Sequence, residues 1–128
     1  MSYRPHRAAF DHHLPQLLAA EHAELIVSEV AGQVVGYALA FRLLTLFASG
    51  TIVELQELMV APEHRNQGIG RCLIQEVLAR AERNGAVEVT VPTRRARDYY
   101  VRMGFVETAA YLKFKLGVSA GPSPNTSP

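Results

Sequence analysis

The chain is 128 residues long, which allows one domain with a core of ordinary size. With 48% hydrophobic and 20% charged residues it reads as soluble and globular. A net charge of +1 provides no general attraction for nucleic acid or an anionic membrane, so any anion must be held locally.

In chain order, residues 10–20 (FDHHLPQLLAA) set Leu14, Leu17 and Leu18 at helical spacing, with Pro15 suited to a first turn. Two strands follow, Leu25–Val30 and Val34–Phe41, reversing at Ala31-Gly32 as a hairpin. Residues 42–50 (RLLTLFASG) form an apolar loop or turn, and 51–60 (TIVELQELMV) a third strand. From Gly70 to Arg83 the apolar residues Cys72, Leu73, Ile74, Val77, Leu78 and Ala81 make a helical stripe, closed by Asn84-Gly85. Cys72, the only cysteine, excludes an internal disulfide and reads as a small core residue. A fourth strand is expected over 86–91, a helix over 94–103 closing at Gly104, and one or two strands within 105–116.

The order α-β-β-β-α-β-α-β predicts a single α/β domain over 1–116 with a mixed central β-sheet flanked by helices. Residues 51–91 form a strand–helix–strand crossover, so those two strands should be parallel and the connection right-handed. Residues 117–128, poor in apolar side chains and rich in Pro and Ser, read as a disordered tail. The opening MSYRPHRAAF has no signal-type apolar stretch and no run reaches a membrane span, so the expected location is the cytoplasm.

The chemistry concentrates at residues 65–71. Gly68 and Gly70, flanked by Arg65 and Arg71, sit between a strand and a helix. A helix N-terminus carries unpaired N–H groups and about half a positive charge, and glycines let a phosphate approach it. The alternative is that both glycines merely turn the chain. A nucleoside-triphosphate loop is excluded, because Gly70 is followed by Arg71-Cys72 rather than a lysine and a hydroxyl. A dinucleotide fingerprint is a poor fit, since Leu73 stands where its third glycine belongs.

RNQGIG, residues 65–70, resembles the [RQ]-x-x-G-x-[GA] coenzyme A motif of the GCN5-related N-acetyltransferase (GNAT) family. ELMV and APEH precede it, and ARDYYVRMGF, residues 96–105, is similar to the family's second signature. The resemblance spans roughly residues 24–116 and implies a GNAT-like fold, acetyl-CoA as cosubstrate and acetyl transfer to a primary amine of a small molecule or peptide. It further implies that Arg65, Asn66, Gln67 and Gly68, with Ile69, Gly70 and Arg71, bind the coenzyme A pyrophosphate through the amides of 67 to 71. Leu58, Met59 and Val60 would pair with the pantetheine arm along a strand that is bulged and splayed in the family.

For the chemistry the resemblance implies Tyr100, the tyrosine of YVRMGF, as general acid toward the departing thiolate. Glu54 and Glu57 are both candidate proton acceptors from the amine, directly or through water. Glu54 has the sequence offset of the family's histone-type glutamate, whereas Glu57 is nearer Leu58. Strict alternation puts the two on opposite strand faces, so without a bulge only one looks into the cleft. Tyr99 fits an aromatic packing role.

Two positions depart from the family. Thr93 stands where an asparagine often touches the cofactor, so that contact is either lost or taken over by Arg94, Arg95 and Arg97 toward the 3′-phosphate; the alternative for these arginines is an exposed helix face. Only 23 residues precede the strand at 24–30, so the resemblance implies a shortened N-terminal region in which a second subunit supplies the acceptor wall, the site is open or the acceptor is large; a homodimer that covers LLTLF is one expectation. The five histidines form no metal pattern, and His12, His13 and His64 read as surface residues. Two functions follow: an acetyl-CoA-dependent N-acetyltransferase, or a coenzyme A-binding module without catalysis.

Overall fold

Ala31 and Gly32 both take positive φ, 52° and 81°, the pair a tight reversal needs, and fold β1 (Ala23–Val30) onto β2 (Gln33–Thr45). A computed structural model describes residues 7–93, 96–108 and 112–117. Within them α1 (Arg7–Ala19) precedes the hairpin, and β3 (Gly50–Val60), α2 (Ile69–Arg83), β4 (Glu88–Thr90) and α3 (Arg97–Arg102) follow it. The sheet order is β1-β2-β3-β4, with antiparallel pairing through β3 and a parallel β3–β4 pair across the α2 crossover. No helix among the described residues is long and apolar enough to cross a membrane.

One face of the sheet is closed by α2. Leu73, Ile74, Val77 and Ala81 pack on Ala38, Ala40, Val53 and Leu55. Leu55 and Ile74 are the largest fully buried side chains, each contributing about 1.5–3 kcal/mol by removal from water. Small residues on β2 let the helix come close: a Cβ on Gly36 would lie 2.9 Å from the Met59 carbonyl oxygen and 3.3 Å from Ile69. α1 lies over the opposite face, where it contributes no fully buried residue.

Several expectations need correction. Residues 42–45 extend β2, and only 46–49 turn, because Thr45 pairs with Gly50 and donates its hydroxyl to the Gly50 carbonyl at 2.8 Å. α1 begins at Arg7, so Pro15 lies inside the helix and not in its first turn. Cys72 is exposed, since the buried stripe runs through Leu73, Ile74 and Val77 and leaves it on the outer face. β4 is confined to residues 88–90, where its pairing with β3 ends at Glu54–Thr90, and Pro92 has no N–H to continue a ladder.

The C-terminal segment differs as well. The described residues of 105–116 form no strand. Phe105 packs on Tyr100 with ring centroids 5.4 Å apart, whereas Leu112, Phe114 and Leu116 are exposed. Alternation states which side chains share a face, and says nothing of which edge they join. Residues 94–95, 109–111 and the expected tail from 118 onward lie outside the described residues.

Candidate active site

β3 creates the site by breaking its own alternation. On β2, Leu39 pairs with Glu57 but Ala40 pairs with Leu55, so Gln56 is an extra residue, a bulge. Before it Val53 and Leu55 face the core, and after it Leu58 and Val60 do. The phase shift brings Glu54 and Glu57 onto one face, opposite Phe41 and Leu39 and away from α2. The pattern was visible in VELQELMV, where apolar spacing changes from two to three between Leu55 and Leu58.

The bulge also ends the parallel ladder. β4 pairs with Ile52, Val53 and Glu54, and beyond Thr90 the two strands part around a cavity of about 710 Å³. Leu58, Met59 and Val60 line it from β3, and Thr93 with Val91 and Pro92 from the far side. From the turn come Arg65, Asn66 and Gly68, and from the first turn of α2 Ile69, Gly70 and Arg71. Gln67 does not line the cavity.

The loop conformation suits an anion. Asn66 and Gly68 hold positive φ, 62° and 83°, and Gly68 is the N-cap of α2. No side chain caps this end and its first turn holds no acidic residue. The first intrahelical bond runs from Cys72 N–H to the Gly68 carbonyl at 3.0 Å, so the N–H groups of Ile69, Gly70 and Arg71 precede it. A Cβ on Gly68 would meet nothing within 4 Å, whereas one on Gly70 would lie 3.3 Å from the Tyr99 hydroxyl. The bare backbone at 70 thus lets α3 approach the mouth of α2. Arg65 anchors the turn by donating Nε–H to the Val60 carbonyl at 3.1 Å.

Tyr100 closes the cavity from α3. It is buried, 5% exposed, and held edge-to-face between Tyr99 at 5.5 Å and Phe105 at 5.4 Å. Burial, with a smaller contribution from Tyr99, pushes its phenol up to about 12, so it is protonated at neutral pH and can donate. Thr93 accepts a hydrogen bond from Ala96 N–H at 3.2 Å, which fixes the entry to α3. Arg97 is committed elsewhere, to Glu107 at 2.7 Å and Asp98 at 2.9 Å, and Arg94 and Arg95 lie outside the described residues.

The two glutamates do not line this cavity. Glu54 accepts from the Thr90 hydroxyl at 3.4 Å and from the Gln56 amide. Glu57 accepts from the Tyr37 phenol at 2.8 Å and borders a second cavity of about 470 Å³ on the α1 face. Val91, Pro92 and Ala96 line the larger cavity without having been singled out in the sequence, and so do two side chains with polar groups. His64, expected at the surface, is half-buried in the wall of the larger cavity, and Tyr99 lines it in addition to packing. The position of His64 in the loop directly before the glycines was the available signal.

A family model described as "Acetyltransferase (GNAT) domain" matches residues 21–107. N-acetyltransferase family 8 member 3 of Rattus norvegicus is 31% identical over 99 residues, covering 74% of this chain and 43% of the rat protein. The chain thus spans less than half the length of that relative. Among solved structures, a transcriptional regulator from Bacillus halodurans C-125 superposes with a TM-score of 0.80 at 21% identity, over 85% of this chain and 76% of that one. An aminoglycoside N-acetyltransferase in complex with CoA has a TM-score of 0.75 at 22% identity, with the same coverage of 85% and 76%. At these identities the structural likeness establishes the fold.

Proposed function

The chain belongs to the GNAT acetyltransferase family, and on that premise we propose that it is an acetyl-CoA-dependent N-acetyltransferase acting on a primary amine. The observation that carries this reading is the parting of β3 and β4 at a cavity with the uncapped mouth of α2 at one end and Tyr100 in its wall. The residues fit the coenzyme: a diphosphate suits the backbone from Gly68 to Arg71 with the Arg65 and Arg71 side chains, and an extended amide-bearing arm suits the β3 edge at Leu58, Met59 and Val60. Gln67 contributes to this grip only through the turn backbone, and Thr93 through the start of α3.

Bound acetyl-CoA supplies an acetyl group already activated as a thioester. An alkylammonium with a pKa near ~10.4 is almost wholly protonated at neutral pH, so a proton acceptor assists. Glu54 or Glu57, which share a face of β3, fills that role directly or through one water. The amine nitrogen bonds to the acetyl carbon as the carbon–sulfur bond breaks, and the Tyr100 phenol gives its proton to the departing sulfur. The backbone amide of Met59 or of a neighbour on β3 is the candidate donor to the carbonyl oxygen.

The reading extends to a cytoplasmic location and to a homodimer, the dimer supported by the exposed Leu44, Leu46 and Phe47 at the β2–β3 turn. Thiol release from acetyl-CoA with hexylamine, a lysine-bearing peptide and kanamycin tests the activity. Release with at least one amine supports catalysis. Tight coenzyme binding with no release would instead favour the non-catalytic module.

A further inference from the structure

Gly70 lies in the first turn of α2 and, unlike Gly68, does not hold a positive φ. A glycine in that ordinary helical conformation destabilises a helix relative to alanine, so its missing side chain serves a close approach. The approaching group is the phenol of Tyr99 on α3. A Cβ at position 70 would stand 3.3 Å from the Tyr99 hydroxyl oxygen, and 3.8 Å from both the Leu58 and the Val60 side chains. The hydroxyl is thereby set against the flank of the first turn of α2 that faces β3.

The Tyr99 ring and its hydroxyl have different surroundings. The ring is half-buried and meets Tyr100 edge-to-face, with centroids 5.5 Å apart. The hydroxyl has no hydrogen-bond partner among the described residues. No side-chain polar atom among them is both buried and unpaired, so this hydroxyl opens on the larger cavity, whose wall Tyr99 helps to form. Around it stand other donors: the N–H groups of Ile69, Gly70 and Arg71 ahead of the first intrahelical bond, and the Arg65 and Arg71 side chains. No carboxylate lies among the described residues that line this cavity. A fixed O–H among donors and cations, with no acceptor of its own, is the complement of an anion.

We propose that Tyr99 is a coenzyme-binding residue, its hydroxyl donating a hydrogen bond to the diphosphate at the mouth of α2. This rests on the acetyl-CoA reading and deepens it. The turn and α2 grip the diphosphate from one side, and Tyr99 closes the grip from α3. Tyr99 and Tyr100 are consecutive and their rings meet, so the same bond ties the diphosphate to the helix that carries the proton donor for the thiolate. The ring packs and the hydroxyl binds, two roles that Tyr99→Phe separates.

Calorimetric titration of wild type and Tyr99→Phe with CoA, and with 3′-phospho-ADP, tests the assignment. The second ligand carries the diphosphate without the pantetheine arm. Loss of a hydrogen bond to a charged group should weaken both ligands by a similar factor, about tenfold. Urea unfolding of the free protein should be unchanged, since the hydroxyl has no protein partner to lose. Unaltered CoA affinity in Tyr99→Phe, beside a wild type that binds CoA, overturns the assignment and leaves the acetyl-CoA reading standing. Weakened CoA with 3′-phospho-ADP unaltered, or not bound by the wild type at all, overturns the diphosphate as the partner. A free variant destabilised as much as its CoA binding is weakened makes the hydroxyl structural, and overturns the assignment too. Failure of the wild type to bind either ligand overturns both readings together.

Discussion

Thr90 faces Glu54 in the last pair of the parallel β3–β4 ladder, its hydroxyl donating to the carboxylate at 3.4 Å, and one residue further the strands separate. That pair is where sheet ends and slot begins. Gln56, the extra residue on β3, sits two positions beyond it and turns the following edge into the cavity wall. Position and chemistry thus share one cause: the bulge opens the slot and brings both glutamates to one face.

Replacing Gly68 tests the anion cradle. At φ +83° any side chain is strained, and a β-branched one more so, with a stability cost of about 1–3 kcal/mol. Gly68→Val should also weaken coenzyme A binding by about tenfold or more, because its side chain enters the space beside the α2 mouth. Gly85 has a similar φ of +78° at the other end of α2, so Gly85→Val controls for strain. Calorimetric titration of both variants should find affinity reduced only in the first; equal affinities would remove Gly68 from the phosphate site.

Tyr100→Phe separates donor from packing. The ring contacts with Tyr99 and Phe105 persist, so the fold and coenzyme affinity should hold. With chemistry rate-limiting, kcat should fall by about ten- to a thousandfold. Stopped-flow measurement of thiol release checks this, and an unchanged rate would exclude the phenol from proton donation.

Alkaline stability follows from the two raised phenols. Tyr37 and Tyr100 are each pushed up to about 12 from an ordinary value of 10.0, chiefly by burial. The folded state therefore binds their protons more tightly than the unfolded chain does. Their contribution is fully present below pH 10 and is lost as pH rises through about 12. Urea unfolding at steps across that window should show stability falling, with a shallower fall in Tyr100→Phe. Equal slopes in variant and wild type would contradict the assigned burial of this phenol.

Gly36→Ala probes the seat of α2. The added Cβ would stand 2.9 Å from the Met59 carbonyl oxygen, with Ile69 at 3.3 Å and Leu73 at 3.4 Å, and the first of these is backbone that cannot swing aside. A loss of about 1–3 kcal/mol is expected by chemical denaturation. Since Met59 and Ile69 also line the larger cavity, coenzyme affinity should fall with it. Neutral stability would mean that the helix sits further from the sheet than Gly36 permits.

Much of this was legible in the chain. Ala31-Gly32 announced the hairpin, the stripe from Leu73 to Ala81 announced the helix, and the glycines before it announced the turn that leads into its N-terminus. Local signals sufficed because each element was decided by its own residues. The bulge was encoded more faintly, as a single change of phase between Leu55 and Leu58, and reading strict alternation instead put Glu54 and Glu57 on opposite faces. Cys72 was misjudged because an apolar side chain beside a buried stripe looks like part of it, although helical geometry turns it outward. The extension of β2 to Thr45 depended on a partner strand, and pairing is a long-range property that 42–50 does not carry alone.

The most direct measurement is calorimetric titration of the purified, folded chain with acetyl-CoA and with coenzyme A. Saturable binding of one molecule per chain, weakened in Gly68→Val and retained in Tyr100→Phe, is the expected result. Absence of binding by both ligands to a protein that unfolds cooperatively would contradict the assignment of the parted strands as the acetyl donor's site.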